Sequence, residues 1–345
     1  MENQPIISIG ITTYNRVDFL KDLVQCLINQ DSQNVEILIG NDYVSKKISF
    51  SDLELPKNTS NVKIFNYSIN LGEYENLIYL FKKSTGKYFT WQFDDDFYSF
   101  DYLSKMKKSI NKFTPDCIYC NFDYLYDRES LNVNTNKPFE VVKYNGSSFI
   151  NDFCNRKTPT QGLTGLYKRS FIEKIGILPI ATKGRFALYS EYLLLIHSSK
   201  LKSIIYHKEK LIFNRIHSGS FSVNSSDSQY FYEAGQGLIK KNKDILKNEK
   251  YDLKIIIIRY FLKSVIKTNF TKSKVDFINI GKSFDYSIKV LDSTKHFLSK
   301  YERTKILFNI PLYIIKSAMY PRKFFSIFHK LKNKTLLRHF FKPNF

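Results

Sequence analysis

The sequence predicts an α/β protein with a mostly parallel sheet, followed by a C-terminal helical region. Apolar, β-branched runs of strand length alternate with segments of helical periodicity in the first part of the chain. Past about residue 228 the strand pattern stops, and Lys, Ile, Phe and Asn recur at helical spacing. We therefore predict two domains, an α/β domain over residues 1–224 and a basic helical region over residues 225–345.

The elements follow in order along the chain. Strands are predicted at 6–11, 35–39, 62–65 and 88–93, with helices after the first and third. A helix at 103–113 and a strand at 116–122 come next, and the polar, Asn-rich stretch 127–145 is predicted as a loop or hairpin. A helix over 187–198 then precedes two strands at 203–206 and 211–216. Because parallel strands need right-handed crossovers, the loops after the strands should open on one edge of the sheet.

Three consecutive carboxylates, Asp94, Asp95 and Asp96, follow the fourth strand. Adjacent like charges repel and cannot be buried unpaired, so a positive partner is expected there. A hard divalent cation shared with a phosphate is the natural candidate at the carboxyl edge of an open sheet. The alternative is an acidic turn followed by a helix N-cap. No dinucleotide-binding or P-loop glycine pattern follows these strands, which argues against those folds.

The net charge of +21 is concentrated in the last third of the chain. From Lys240 onward there are 25 Lys and Arg against 7 Asp and Glu, while the earlier residues are nearly neutral. A protein that binds nucleic acid along its whole length is therefore not indicated. The basic region could be a solvated helical face, a nucleic-acid site or an anionic-membrane surface, and the bulky apolar residues among its lysines after residue 313 favour the membrane.

Cysteine content and the first residues indicate a reducing cytoplasm. The four cysteines are too few for a disulfide scaffold, and the chain start is not typical of a secretory signal. Cys117 and Cys120 form a CxxC within a predicted buried strand, without a second pair to complete a zinc site. The longest aliphatic run of the C-terminal region, 255–258, is far shorter than the roughly 18 to 20 residues that span a bilayer.

An ordered set of short motifs resembles the GT-A glycosyltransferases of family two, the inverting enzymes that use nucleotide sugars. The resemblance covers residues 6–222 and is carried by the set rather than by any single motif. It implies a GT-A fold and transfer of a sugar to a hydroxyl group. The matching pieces are Ile-Thr-Thr-Tyr-Asn-Arg at 11–16, Asn41-Asp42, Asn70-Leu71-Gly72 with Asn76, Gly86-Lys87-Tyr88, the Asp triplet, Lys168-Arg169-Ser170, Glu191 and Arg215-x-His217-x-x-Ser220.

The resemblance implies a uridine-type donor site. Thr13 and Tyr14 would line the uracil, and Asp42 would accept its imide N–H. Plain packing is the alternative for Tyr14. The remaining donor-binding residues implied by the motifs are Asn15, Asn70, Gly72, Asp94, Asp95 and Arg215.

The Asp triplet resembles the DxD motif, which holds ribose and the Mn²⁺ or Mg²⁺ on the diphosphate. Asp96 is a metal ligand in either register, since the motif pairs Asp96 with Asp95 or with Asp94. His217 would contact the metal or diphosphate, with a structural role as the alternative. Arg215 would pair with phosphate or cap the sheet edge.

The resemblance also implies that Glu191 is the base that takes the acceptor proton. The alternative is a solvated helix acid. The expected partners are a nucleotide sugar of the UDP class and a sugar or lipid-linked saccharide acceptor. We expect the enzyme at the inner face of the cell membrane and without nucleic acid, and self-association into a homo-oligomer is an open alternative. The competing hypothesis is a basic nucleic-acid-binding protein with a non-catalytic domain, but such a relic should have lost the acids that this chain retains.

Overall fold

The computed structural model describes residues 5–57, 59–126, 139–175, 188–217, 228–248, 253–271, 277–296 and 298–318. The chain divides into two units, residues 1–217 and residues 218–345. The first unit is α/β with a mostly parallel central sheet and the second is helical, which confirms the predicted fold class.

The first four strands form the parallel part of the sheet, and the sequence predicted each of them. They are β1 (Ile7–Thr13), β2 (Val35–Asn41), β3 (Val62–Asn66) and β4 (Tyr88–Phe93), in the order β3-β2-β1-β4. Helix α1 (Val17–Ile28) connects β1 to β2, and α2 (Glu73–Lys83) connects β3 to β4. Every residue of β1 and β2 is buried, because helices and neighbouring strands cover a parallel strand on both faces.

The rest of the sheet is mixed. Strand β8 lies between β4 and β6 and is antiparallel to both, while β9 is parallel to β6 and antiparallel to β5 and β7. These strands are β5 (Phe97–Tyr98), β6 (Cys117–Tyr126), β7 (Val141–Tyr144), β8 (Leu166–Lys168) and β9 (Ile204–Ile216). The helices among them are α3 (Tyr102–Phe113), α4 (Gly146–Cys154), α5 (Arg169–Ile175) and α6 (Ser190–Ser198).

Two expectations about this half were wrong. The two strands predicted at 203–206 and 211–216 are one continuous strand, β9, because the polar residues between them remain paired with β6. Lys210 forms a salt bridge with Asp123 on β6, and register shifts beside Asn121 absorb the irregularity. The polar stretch 127–145, predicted as a loop or hairpin, ends in strand β7. Residues 127–138 lie outside the part of the chain that the structure describes, and so does residue 187, the first of the helix predicted over 187–198.

The core of the first unit brings α1 and α2 onto the sheet. Gly40 of β2 allows the close approach of α2, because an added Cβ would lie well under 3.0 Å from the Asn76 side chain. The Asn76 amide donates to the Gly40 carbonyl at 2.9 Å. Cys117 and Cys120 are buried, free thiols on β6, and their odd spacing places them on opposite faces of the strand.

The second unit packs around one central helix. Helix α9 (Leu253–Thr271) contacts α7 (Ser228–Lys241), α10 (Phe277–Ser293) and α12 (Ile310–Ala318). The other helices are α8 (Lys243–Asn248) and α11 (Lys300–Leu307). Gly235 of α7 lies against the Phe261 ring of α9, where a Cβ would clash. Among the helices described, none combines the length and apolar content needed to cross a bilayer.

Candidate active site

The loop after β1 meets the end of β4 at the carboxyl edge of the sheet. Thr13, the last residue of β1, donates from Oγ1 to Asp94 Oδ2 at 2.6 Å. Asn15 has a left-handed φ of 55°, a conformation that asparagine tolerates, and α1 starts two residues later. Arg16 donates from Nη1 to Asp95, and its Nη2 lies 3.3 Å from Asp94 Oδ1. One guanidinium therefore bridges two acids of the triplet.

Tyr14 lies beside this bridge with its ring 43% exposed. It packs edge-on against Tyr43, with the ring centroids 5.2 Å apart. The two rings come from the loops after β1 and β2, which are adjacent strands. A half-exposed aromatic ring supported from one side can stack against a planar ligand.

Asp42 organises a second cluster after β2. Its Oδ1 accepts from the Leu71 backbone N at 2.6 Å and its Oδ2 from the Gly72 backbone N at 2.8 Å. The Asn70 side chain also accepts from Gly72 N, at 3.0 Å. Gly72 has a φ of 79° at the start of α2, which favours glycine. The structure thus brings Asp42, Asn70 and Gly72 together, and an ionised carboxylate has lone pairs for further donors.

The three acids have different electrostatic environments. Burial raises the pKa of Asp94 to about 7, against the opposing charge of Arg16. Burial acts on Asp95 in the same direction, but the hydrogen bond from His217 and the charge of Arg16 outweigh it and keep its pKa below the ordinary value. Burial and the charge of Asp95 raise the pKa of Asp96 well above its usual range.

Asp96 is held by neutral donors. Its Oδ2 accepts from the Asn214 side-chain amide at 2.9 Å and its Oδ1 from the Arg215 backbone N at 3.2 Å. The salt bridges described reach Asp94 and Asp95 through Arg16 and His217, but not Asp96. A buried carboxylate without a cation, next to two others, offers the hard oxygen donors that Mg²⁺ and Mn²⁺ prefer.

The residues present therefore fit a divalent cation through the chemistry of their oxygen donors. Among the residues described, no three His, Cys, Asp or Glu side chains form a group that could hold a metal ion. Arg16 lies between Asp94 and Asp95 and offsets the negative charge that a metal cation would otherwise neutralise. His217 lies near the triplet, with Nε2 3.2 Å from Asp95 Oδ2.

The Arg215 side chain faces α1 rather than the acids. Its guanidinium carbon lies 4.7 Å from the centroid of the Phe19 ring, and Nη1 lies 3.4 Å from Asp22 Oδ2. The His217 ring packs on the same phenylalanine, with centroids 4.5 Å apart. Of the two predicted residues at the end of β9, only His217 reaches the triplet through its side chain.

Glu191 lies in the first turn of α6, which follows Tyr189 in the left-handed conformation. Burial raises the pKa of Glu191 to about 7. A solvated helix acid would keep its ordinary value, whereas this carboxyl is poised to exchange a proton near neutral pH.

Three residues at the site were not predicted to have a role there: Arg16, Asn214 and Gln161. For Arg16 a signal existed, because three acids in one turn require positive charge and this residue ends the first motif. For the two amides no signal existed. They are 53 positions apart, and the antiparallel pairing of β5 with β9 places Asn214 next to the acids that precede β5.

Comparisons with known proteins agree with this geometry. The profile of the family "Glycosyl transferase family 2" matches residues 8–176. An uncharacterised glycosyltransferase of Rickettsia typhi is 25% identical over 241 residues, 69% of this chain and 72% of its own length. One from Haemophilus influenzae is 30% identical over 113 residues, 32% of this chain and 35% of its own.

Solved structures show the same fold. S. aureus TarS 1-349 in complex with UDP-GlcNAc superposes with a TM-score of 0.62 at 14% identity, over 90% of this chain and 89% of that one. Its complex with UDP superposes with a TM-score of 0.58 at 13% identity, over 90% and 88%. The sheet order, the acids at its carboxyl edge and these matches identify the first unit as a family-2 glycosyltransferase domain of the GT-A fold.

Proposed function

We propose that the protein transfers a sugar, with inversion, from a UDP sugar to a hydroxyl acceptor during assembly of a cell-surface polysaccharide or glycolipid. The observation that carries this proposal is the presence of two separate sets of acids in one unit. The Asp triplet is tied to Thr13 and Arg16 at the carboxyl edge of the sheet, and Glu191 is a separate carboxyl with a pKa near neutral. The UDP and UDP-GlcNAc complexes of TarS support the nucleotide class.

The donor site is assigned to the two clusters at the sheet edge. Thr13 and the exposed face of Tyr14 are proposed to line uracil, and Asp42 to accept its imide N–H while it holds the loop through the backbone N–H groups of Leu71 and Gly72. Asn15 shapes the first loop. We assign the diphosphate contact to Arg16, whose guanidinium already lies at Asp94 and Asp95, and a structural role at the sheet edge to Arg215, whose side chain faces Phe19 and Asp22.

Family members often use divalent metals. We propose that Asp96 and Asp94, with His217 nearby, hold Mn²⁺ or Mg²⁺. A metal held by these residues would supply positive charge to offset the charge on the leaving diphosphate. The chain's own residues position the donor, since Thr13 fixes Asp94, and Asn214 fixes Asp96.

Glu191 is proposed as the base. Direct displacement at the anomeric carbon requires the acceptor hydroxyl to lose its proton as the new bond forms. A positioned base typically contributes about 10² to 10⁴ in rate, most effectively when its pKa lies near the working pH. Burial of Glu191 brings its pKa to about 7, which meets that requirement.

The test is transfer by the full chain with a panel of UDP, GDP and CDP sugars, and with Glu191→Gln. We expect UDP sugars to be used preferentially and Glu191→Gln to lose at least about 100-fold in kcat with donor affinity unchanged. Glu173→Gln, an exposed acid on α5, is the matched control. Equal use of all three nucleotides, or near-normal transfer by Glu191→Gln, would contradict the proposal.

The helical unit is proposed to dock on the anionic inner face of the cell membrane, beside a lipid-linked acceptor. We define the outer surface of α11 and α12 as the exposed side chains Tyr301, Leu307, Phe308, Leu312 and Ile315. Phe308 is 79% exposed, which a solvated helix face does not explain.

Charge selects an anionic surface as the partner. Lys300 and Lys305 are exposed on these helices. The acid of α11, Glu302, accepts from Ser299 N at 2.7 Å and lies 3.4 Å from Lys254 Nζ. Two copies meeting through this surface would oppose lysines, whereas anionic lipid headgroups complement them.

A further inference from the structure

Helix α6, which carries Glu191, is fixed at both ends by glycines from other segments. At its N-terminal end, a Cβ on Gly162 would lie well under 3.0 Å from the Glu191 carbonyl oxygen. At the other end, a Cβ on Gly146 would come equally close to the carbonyls of Ser198 and Ser199. The main chain of α6 therefore rests directly on these two glycines, and a side chain at either position would displace it.

The residue before Gly162 contacts the other half of the site. The Gln161 amide donates to Asn214 Oδ1 at 3.0 Å, and Asn214 Nδ2 lies 3.3 Å from Gln161 Oε1. The same Asn214 amide donates to Asp96 Oδ2 at 2.9 Å. Two consecutive residues thus link the start of α6 to the last acid of the triplet.

A chain of buried hydroxyls holds this segment from behind. The Tyr167 hydroxyl donates to the Gly162 carbonyl. The Tyr119 hydroxyl lies 2.8 Å from that of Tyr167 and 2.7 Å from Ser198 Oγ. The chain runs from the C-terminal end of α6 through β6 and β8 to the segment under its N-terminal end, so the position of Gly162 is determined by the core.

We propose that Gln161 and Gly162 are positioning residues that set the place of Glu191 relative to Asp96. The inference rests on the proposed function, because it takes Glu191 as the base and Asp96 as part of the donor site. Proton transfer needs hydrogen-bond reach, and a displacement of about 1 Å can lower the rate 100-fold. A contact that fixes the base relative to the leaving group therefore acts on kcat rather than on donor affinity.

The first experiment compares the two glycines of α6. Gly162→Ala is expected to lower kcat about 10- to 100-fold with the Kd of UDP, measured by calorimetry, unchanged. Gly146→Ala introduces the same steric conflict at the far end of the same helix and should lower kcat much less. Equal losses of kcat in the two variants would mean that the glycines only stabilise the helix, which overturns the proposal.

A second variant keeps the test independent of the folding of Gly162→Ala. Gln161→Ala removes the amide link to Asn214 without a backbone clash, and we expect a loss of about tenfold in kcat at unchanged UDP affinity. Gln25→Ala is its control, since that amide makes two hydrogen bonds to the Leu53 and Glu54 carbonyls, away from the acids. A Gln161→Ala enzyme as active as Gln25→Ala would contradict the proposal.

The double variants separate this inference from the proposed function. If Gly162 and Gln161 act through Glu191, their substitution in a Glu191→Gln background should cost little further rate, whereas independent effects would multiply. Should Glu191→Gln lose transfer while Gly162→Ala and Gln161→Ala keep it, only the positioning role falls. Should Glu191→Gln itself transfer normally, the base assignment and the positioning role fall together.

Discussion

The site contains several carboxyl groups, and the surroundings of each shift its pKa differently. The hydrogen bond from His217 and the charge of Arg16 keep the pKa of Asp95 below its ordinary value, so this acid stays ionised. Burial instead raises the pKa of Glu191 to about 7, which favours its neutral form. Stability and activity therefore make opposite demands on Glu191. The ionised form that the proposed reaction needs is the form that the fold disfavours.

This conflict predicts a pH-dependent stability difference between the wild type and Glu191→Gln. The native-state pKa of Glu191 is about 7, above its ordinary value of 4.5, so the folded state binds this proton more tightly than the unfolded state. As pH rises from about 4.5 to about 7, the wild type should lose more stability than Glu191→Gln, because Asp94 and Asp96 contribute equally in both proteins. We expect Glu191→Gln to be more stable by about 1 to 3 kcal/mol at pH 8 and nearly equal at pH 4.

Urea unfolding of the two proteins at pH 4, 6 and 8 measures this difference. A gap that stays constant across the range would mean that Glu191 is not held near neutral pKa by burial. The transfer rate of the wild type should also fall as pH drops below about 7, because the proposed base, Glu191, becomes protonated.

The acids of the site could be predicted from sequence, and their partners could not. A triplet of carboxylates after an apolar strand is a local signal, and so is Asp42 after the second strand. Asn214 and Gln161 are neutral and ordinary in sequence, and only the fold brings them to Asp96. Local patterns identify charges that need a partner, while long-range pairing decides which groups meet that need.

At the level of elements, β8 is short but central. Its three residues lie between β4 and β6, and its Tyr167 joins the buried hydroxyl chain with Tyr119 and Ser198. Buried hydroxyls cost free energy when they lose their partners. The chain therefore contributes to the stability of the first unit as well as to the placement of Gly162.

Removing the middle hydroxyl tests this contribution. We predict that Tyr119→Phe lowers the free energy of unfolding by about 1 to 3 kcal/mol, since the Tyr167 and Ser198 hydroxyls each lose a hydrogen-bond partner. Tyr79→Phe, on a half-buried ring that packs edge-on against Phe65, should change stability little. A Tyr119→Phe protein as stable as Tyr79→Phe would show that the hydroxyl chain carries no net stability.

Prediction of elements succeeded for the first four strands. Strands β1, β2 and β4 are almost entirely buried, and the partly exposed strand β3 was also located correctly. Strand β9 was divided in two because Lys208, Glu209 and Lys210 resemble a turn, yet they face neighbours with which they can pair. Lys210 meets Asp123, and Glu209 meets Lys105. Cross-strand charge pairs are not visible in a local window.

At the scale of the whole molecule, the two units differ in charge and surface. The first unit is nearly neutral in sequence, and the basic second unit exposes the outer surface of α11 and α12. We predict that the full chain binds vesicles containing 30% anionic lipid and not neutral vesicles. Each basic residue near such a surface contributes about 1 kcal/mol, or about fivefold in partitioning.

Phe308→Gln with Leu312→Gln should lower vesicle co-sedimentation at least about tenfold, because two exposed apolar side chains no longer enter the interface. Phe100→Gln, an exposed apolar position in the first unit, is the control and should bind like the wild type. UDP affinity should be unchanged in both. Unaltered vesicle binding by the double variant would exclude this surface as the membrane-docking site. A concentration-dependent dimer that the double variant loses would indicate self-association instead. Salt-sensitive DNA binding by the full chain would favour a nucleic-acid role.

Strand β9 is the last strand of the first unit, and it supplies the groups that hold Asp95 and Asp96. The contacts of Asn214, Arg215 and His217 with these acids span 118, 119 and 122 positions of sequence. During synthesis the acids therefore leave the ribosome long before their partners do. Until residue 217 has emerged, the triplet has only Thr13 and Arg16 to offset its repulsion. The surroundings of these acids are therefore completed only as the final strand of the first unit is inserted, so the order of translation is also the order in which the candidate site is assembled.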